Sequence, residues 1–112
     1  MECNVTHTLI GSELTINISG EIDHHNARTI RRKIDESLYY YRPKTVALDL
    51  SEVAFMDSSG LGLILGRFTL ARELGGVLRI VDPSENVSKI LDLAGTGRLV
   101  TVEKTKLKGI AK

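Results

Sequence analysis

Residues 5–10 and 13–19 alternate with a period of two, and from Ala27 to Tyr41 apolar side chains recur at every third or fourth position. This switch of period constrains the fold more than any other feature. A period of two buries one face of a strand, and a period near 3.6 buries one stripe of a helix. Val5, His7 and Leu9 form one alternating set and Leu14, Ile16 and Ile18 a second, with Gly11-Ser12 between them as a tight turn. Residues 5–10 and 13–19 are therefore expected to pair as an antiparallel hairpin, with Gly20 ending the second strand.

Glu21-Ile22-Asp23 then leads into a helix expected over about residues 24–40, with Asp23 as its cap. Its buried stripe is Ala27, Ile30, Ile34, Leu38 and Tyr41, and Pro43 stops it because the residue before a proline avoids helical geometry. Arg31–Asp35 and Arg32–Glu36 are opposite charges four apart on this helix. Residues 45–50 read as a short buried strand, 51–57 as a connection, and 58–74 as a second helix closed by Gly75-Gly76. A strand at 77–81, a third helix capped by Ser84 and ended by Gly95, and a last strand at 99–102 complete the series.

The order is β-β-α-β-α-β-α-β. Strands joined through helices pair in parallel by right-handed crossovers. The expected fold is α/β, a mixed sheet with an N-terminal antiparallel hairpin, then parallel strands, with helices packed on it. At 112 residues the chain is expected to be a single domain over 1–112, with 104–112 as a frayed basic tail that includes Lys104, Lys106, Lys108 and Lys112.

Fifteen basic against fourteen acidic residues leave a formal charge of +1, unlike the marked basic excess of a nucleic-acid binder. The single cysteine, Cys3, forms no intramolecular disulfide and fits a reducing compartment. No apolar run approaches a membrane span, and Met1-Glu2-Cys3-Asn4 does not begin like a signal peptide. A cytoplasmic protein is expected, with neither nucleic acid nor membrane as partner.

The stretch from Phe55 to Gly62 carries the most chemical information. Ser58 and Ser59 sit where a helix begins, and the first backbone N–H groups of a helix lack internal partners. A phosphate there finds ready donors, so either hydroxyl could serve as an electrostatic switch. The plainer reading is that Asp57, Ser58 and Ser59 only cap the helix. Gly60, Gly62 and Gly66 all lie within it, each costing up to about 1 kcal/mol relative to alanine. Close packing on the sheet or close approach of a partner would explain them. Glu21 and Asp23, at a strand end before a helix, are candidates for surface contacts, although capping explains Asp23 equally well.

Enzyme readings fit poorly. Gly60-Leu61-Gly62 lacks the third glycine of a dinucleotide fingerprint at the required spacing, and Gly66 is followed by Arg67-Phe68, not the Lys-Ser/Thr of a phosphate-binding loop. Met56-Asp57-Ser58-Ser59-Gly60 lacks the first glycine of a nucleophile elbow. His24-His25 reads as a solvated helix start, since adjacent histidines without a nearby cysteine make poor metal spacing. No catalytic, metal or cofactor site is expected.

On Gly20-Glu21-Ile22-Asp23-His24-His25, Leu48-Asp49-Leu50 and the unbroken run from Phe55 to Arg67, the chain resembles the anti-sigma factor antagonists of the STAS superfamily, most closely the sporulation members. The resemblance spans about residues 4–103. It implies a non-enzymatic regulator whose unphosphorylated form binds an anti-sigma factor and causes release of its sigma factor. It further implies that this anti-sigma factor has serine kinase activity, that it inactivates the antagonist at Ser58, and that a metal-dependent serine phosphatase reverses the step. The partner surface it implies comprises Glu21, Asp23, His24, Asp57, Ser58, Ser59, Gly60, Leu61 and Gly62, on a protein that is a monomer when free. The short basic stretch from Lys104 to Lys112 departs from the apolar final helix of those relatives. The alternative is a STAS module that senses a small molecule or nucleotide through the same helix start.

Overall fold

The computed structural model describes residues 3–105. Its five strands lie in the sheet in the same order as in the chain: β1 (Cys3–Ile10), β2 (Glu13–Ile22), β3 (Thr45–Met56), β4 (Val77–Val81) and β5 (Thr101–Glu103). β1 pairs with β2 antiparallel, and β2, β3, β4 and β5 pair in parallel, as the element order requires. Three helices intervene: α1 (Ala27–Tyr41), α2 (Ser58–Glu73) and α3 (Glu85–Leu93). Right-handed crossovers that step in one direction along the sheet put α1 and α2 side by side, and the two pack against each other.

Register assigns each side chain to a face. Ile16, Leu48 and Ile80 are aligned across β2, β3 and β4, and each is at most 1% exposed. With Ile30, Ile34 and Leu38 of α1 and Leu63 and Ile64 of α2 they belong to one apolar core. The opposite face is polar, and there Arg79 of β4 reaches Glu13 of β2 at 2.9 Å and Glu103 of β5 at 2.7 Å. Those two hydrogen bonds hold the guanidinium above its ordinary pKa.

Besides β1, which starts two residues early at Cys3, four boundaries differ from the expectation. β2 does not stop at Gly20 but runs to Ile22, because Gly20 takes φ +105° at a register shift, a bulge conformation open to glycine. β3 continues through the expected connection to Met56, laddered to β2 alone, since β4 stops opposite Asp49. The bulges place Val53 and Met56 three apart on the buried side, so the alternation that signals a strand is broken there. α1 starts at Ala27 instead of His24. Finally, a 3-10 turn at Thr96–Arg98 delays the last strand to Thr101, leaving Leu99 63% exposed.

Other local signals hold. Ser84 caps α3, its Oγ accepting from Val87 N and donating to Val53 O at 2.7 Å. The α1 stripe buries Ile30, Ile34 and Leu38. Asp35 finds its charge partner not on its own helix but on α2: Arg67 Nε lies 2.7 Å from Asp35 Oδ1, an ion pair without hydrogen-bond geometry. Burial pushes the Asp35 carboxyl up against the opposing pull of Arg67 and Arg31. It likewise lowers Arg67 against the pull of Asp35. Desolvation thus outweighs attraction on both partners, and the pair is better understood as fixing the register of α1 on α2 than as a source of stability. Lys106, Lys108 and Lys112 of the basic tail lie outside the described residues.

Candidate functional site

The site is built where β2 and β3 end. Glu21 is aligned with Phe55 and Ile22 with Met56, and Asp57 N donates to Ile22 O at 3.1 Å. These bonds bring the loop after β2 against the start of α2, so Glu21, Asp23 and His24 share one edge of the sheet with residues 57–62. The C-terminal edge of parallel strands is where open α/β sheets commonly place ligands, because the loops there are carried by rigid strands.

Asp57 caps α2, its Oδ1 accepting from Ser59 N at 2.8 Å. The capping therefore falls to the aspartate alone, which resolves part of the ambiguity in the serine pair. Ser58 becomes the first helical residue and is exposed, whereas Ser59 is half-buried. The carboxylate and two hydroxyls thus occupy successive positions with different environments. Leu61 is half-buried and Gly62 exposed.

The three helix glycines separate into two kinds. A Cβ at Gly60 would overlap the Met56 side chain and come 3.4 Å from Ile22, so this glycine is required by packing on the strand ends. At Gly62 and Gly66 a Cβ would meet nothing within 4 Å. Close packing on the sheet accounts for Gly60 only.

The loop preceding α1 is tied by two side chains. Asp23 Oδ1 accepts from His25 N at 3.0 Å and Asn26 N at 3.1 Å, while Asn26 Oδ1 accepts from Asp23 N at 3.0 Å. Asn26 Nδ2 also donates to Glu21 O at 2.7 Å. Asp23 therefore locks the turn and is not the cap of α1, which is why the helix begins three residues later than expected. Asn26 was not among the expected site residues. Its signal is the Asp-x-x-Asn spacing, in which each side chain can reach the other's backbone.

His24 and His25 are exposed in this turn with ring centroids 4.1 Å apart. Cys3 lies apart from the serines, beside His25 and Lys33, and burial pushes its thiol up, away from the thiolate needed for nucleophilic chemistry. Among the described residues no helix is long and apolar enough to cross a membrane.

Comparison with known proteins gives a family match and solved relatives of the same fold. Residues 4–108 match the family described as STAS domain. An anti-sigma F factor antagonist of Paenibacillus polymyxa is 36% identical over 89 residues, covering 80% of this chain and 76% of that protein. The solved anti-sigma factor antagonist SpoIIAA in its unphosphorylated form superposes with a TM-score of 0.75 at 29% identity, covering 88% of this chain and 87% of that one. The phosphorylated form of the Bacillus cell fate determinant SpoIIAA gives 0.68 at 28% identity, covering 88% and 90%.

Proposed function

The chain belongs to the STAS domain family, and from that premise we propose that it is an anti-sigma factor antagonist controlled by phosphorylation of Ser58. In its unphosphorylated form it binds an anti-sigma factor, which then releases its sigma factor. The observation that carries the reading is the placement of Ser58: exposed, on the first turn of α2, one residue after the capping Asp57 and beside the Glu21–Asn26 turn. Relatives solved in unphosphorylated and phosphorylated forms support a switch of this kind.

The physical mechanism follows from rigidity. Asp57 holds the helix start, so the hydroxyl of Ser58 is not needed for capping and its modification leaves the fold in place. A phosphoserine carries about −1.5 to −2 charge at neutral pH. Added to Glu21, Asp23 and Asp57, it would turn a patch of three carboxylates into a crowded anionic surface. Glu21 and Asp23 offer carboxylates to basic groups on the partner, with His24 and residues 57–62 forming the rest of the contact. In this reading the partner is itself a serine kinase and presents its nucleotide near Ser58. The bound nucleotide's phosphates and the new phosphate then repel each other, and the added bulk spoils the fit. A metal-dependent serine phosphatase resets the switch. The protein is the substrate of these enzymes and not an enzyme, acts in the cytoplasm as one domain over residues 1–112, is monomeric when free, and serves sporulation.

The test is phosphorylation of purified protein by the anti-sigma factor of its source organism with ATP, mapped by mass spectrometry beside Ser58→Ala and Ser59→Ala. One phosphoryl group, absent only from Ser58→Ala, is expected, together with loss of anti-sigma factor binding by the modified protein. Phosphate on Ser59 alone relocates the switch. No phosphorylation by an anti-sigma factor active on another substrate overturns it.

A further inference from the structure

Between α1 and α2 a groove of about 380 Å³ runs from Ser59 past Gly62 to Gly66, walled by Arg28 and Arg31 on one side and by Arg67 at its floor. It does not belong to the Glu21–Asp23 turn, and its charge is opposite. No acidic residue lines it, and neither Arg28 nor Arg31 closes an ion pair with a described residue. Arg67 is spoken for by Asp35, but Arg28 and Arg31 are exposed and on the same side of α1. The same two arginines also border a wider depression of about 830 Å³ on the outer face of α1, where Tyr39 and Tyr40 are 53% and 81% exposed.

The glycines give this groove its depth. Each costs helix stability relative to alanine, and within the chain nothing occupies the space that a Cβ at Gly62 or Gly66 would fill. Gly60 shows the contrast, since Met56 already fills its space. The cost at 62 and 66 is therefore not repaid by the fold. One helical turn apart, the two positions leave a flat stretch on which another backbone can lie close, with arginines along its edge to donate to carboxylates.

We propose that this groove receives an acidic helix of the anti-sigma factor, so that the partner contacts the chain through two patches of opposite sign. The inference rests on the function proposed above. Carboxylates at Glu21 and Asp23 meet basic groups of the partner, while Arg28 and Arg31 meet acidic ones. Such a dipolar surface admits the partner in one orientation only, because rotation by half a turn would place like charges together. Ser59 and Gly62 join the two patches, which makes phosphorylation at Ser58 a perturbation near the middle of the contact and not at its rim.

The deciding experiment measures affinity of the purified anti-sigma factor for full-length wild type, Arg28→Glu/Arg31→Glu, Gly62→Ala, Gly66→Ala and, as control, Ser58→Asp. Affinity is expected to drop about tenfold or more for the double charge reversal, with weaker salt dependence than wild type. Each glycine variant is expected to weaken binding severalfold while melting at a higher temperature than wild type, a pairing that misfolding cannot produce. Wild-type binding lost in Ser58→Asp but retained within twofold in the groove variants overturns the groove and leaves the proposed function standing. Failure of wild type itself to bind overturns both.

Discussion

Replacing Gly60 by alanine isolates the packing argument at the start of α2. A methyl group there would overlap Met56 and touch Ile22, residues that are 1% and 0% exposed and cannot yield toward solvent. Met56 must leave its present rotamer, and inserting a methyl into a filled core typically costs about 1–3 kcal/mol. Alanine returns up to about 1 kcal/mol of helix propensity, so the net loss is about 0–2 kcal/mol. At Gly62 and Gly66 the same substitution meets open space, and only the gain of up to about 1 kcal/mol remains. The propensity gain is common to the three variants, so urea unfolding should separate Gly60→Ala from its neighbours by the packing cost alone, about 1–3 kcal/mol. For a domain of this size that is a gap of roughly 10 °C in melting temperature. Equal stability of Gly60→Ala and Gly62→Ala would show that Met56 repacks freely and that Gly60 is not required by the core.

Asp35→Asn removes one desolvated charge but leaves Arg67 buried without its counter-charge, two effects that oppose each other at neutral pH. Because the folded-state pKa of Asp35 is raised above 3.8, its proton-linked stabilisation is complete below that value and is lost as pH rises through the folded pKa. Wild type should accordingly lose stability relative to Asp35→Asn with rising pH in acid titration, and a difference that moves the other way refutes the assignment. Ser84→Ala removes the α3 cap and orphans the Val53 carbonyl, which together should cost about 1–2 kcal/mol by chemical denaturation; a change under half of that would mean another group takes over. Gly20→Ala forces a side chain onto φ +105° and should cost about 1–3 kcal/mol. It should also weaken anti-sigma factor binding beyond what its stability loss explains, since the bulge aims Glu21.

Much of this fold is legible in the chain because local signals agree with tertiary burial. Ile30, Ile34 and Leu38 carry both the helical period and the core contacts, and Ser84 precedes α3 in sequence as it caps it in space. The failures cluster where a tertiary partner overrides the local pattern. Residues 51–56 read as a connection because two bulges set Val53 and Met56 out of alternation, and only the ladder to β2 makes them a strand. Asp35 shows four-residue spacing to Arg31 yet pairs with Arg67, a choice made by helix packing. At the site, Ser58 and Ser59 cannot be separated by their sequence context, whereas the fold leaves Ser58 exposed and Ser59 half-buried. The groove was invisible for the same reason: Gly62 and Gly66 are evident as costly residues, but the openness around them exists only once α1 lies beside α2.

Chain order and sheet order coincide from β1 to β5, and this has a kinetic consequence. No strand must be threaded between two earlier ones, so the sheet can grow at a single edge as each crossover closes. Only the β1–β2 hairpin is local; each parallel pairing waits for a whole crossover to close, which makes it the slower step. Every residue of the two proposed patches has been made once Arg67 has been synthesised, 14 residues before β4 ends at Val81. At ordinary rates of translation the ribosome needs roughly 1–3 s for those residues. Until β4 is complete, β3 holds an unpaired edge carrying Val46 and Leu48, and over that stretch a nascent chain of this architecture is most open to pairing with the wrong strand.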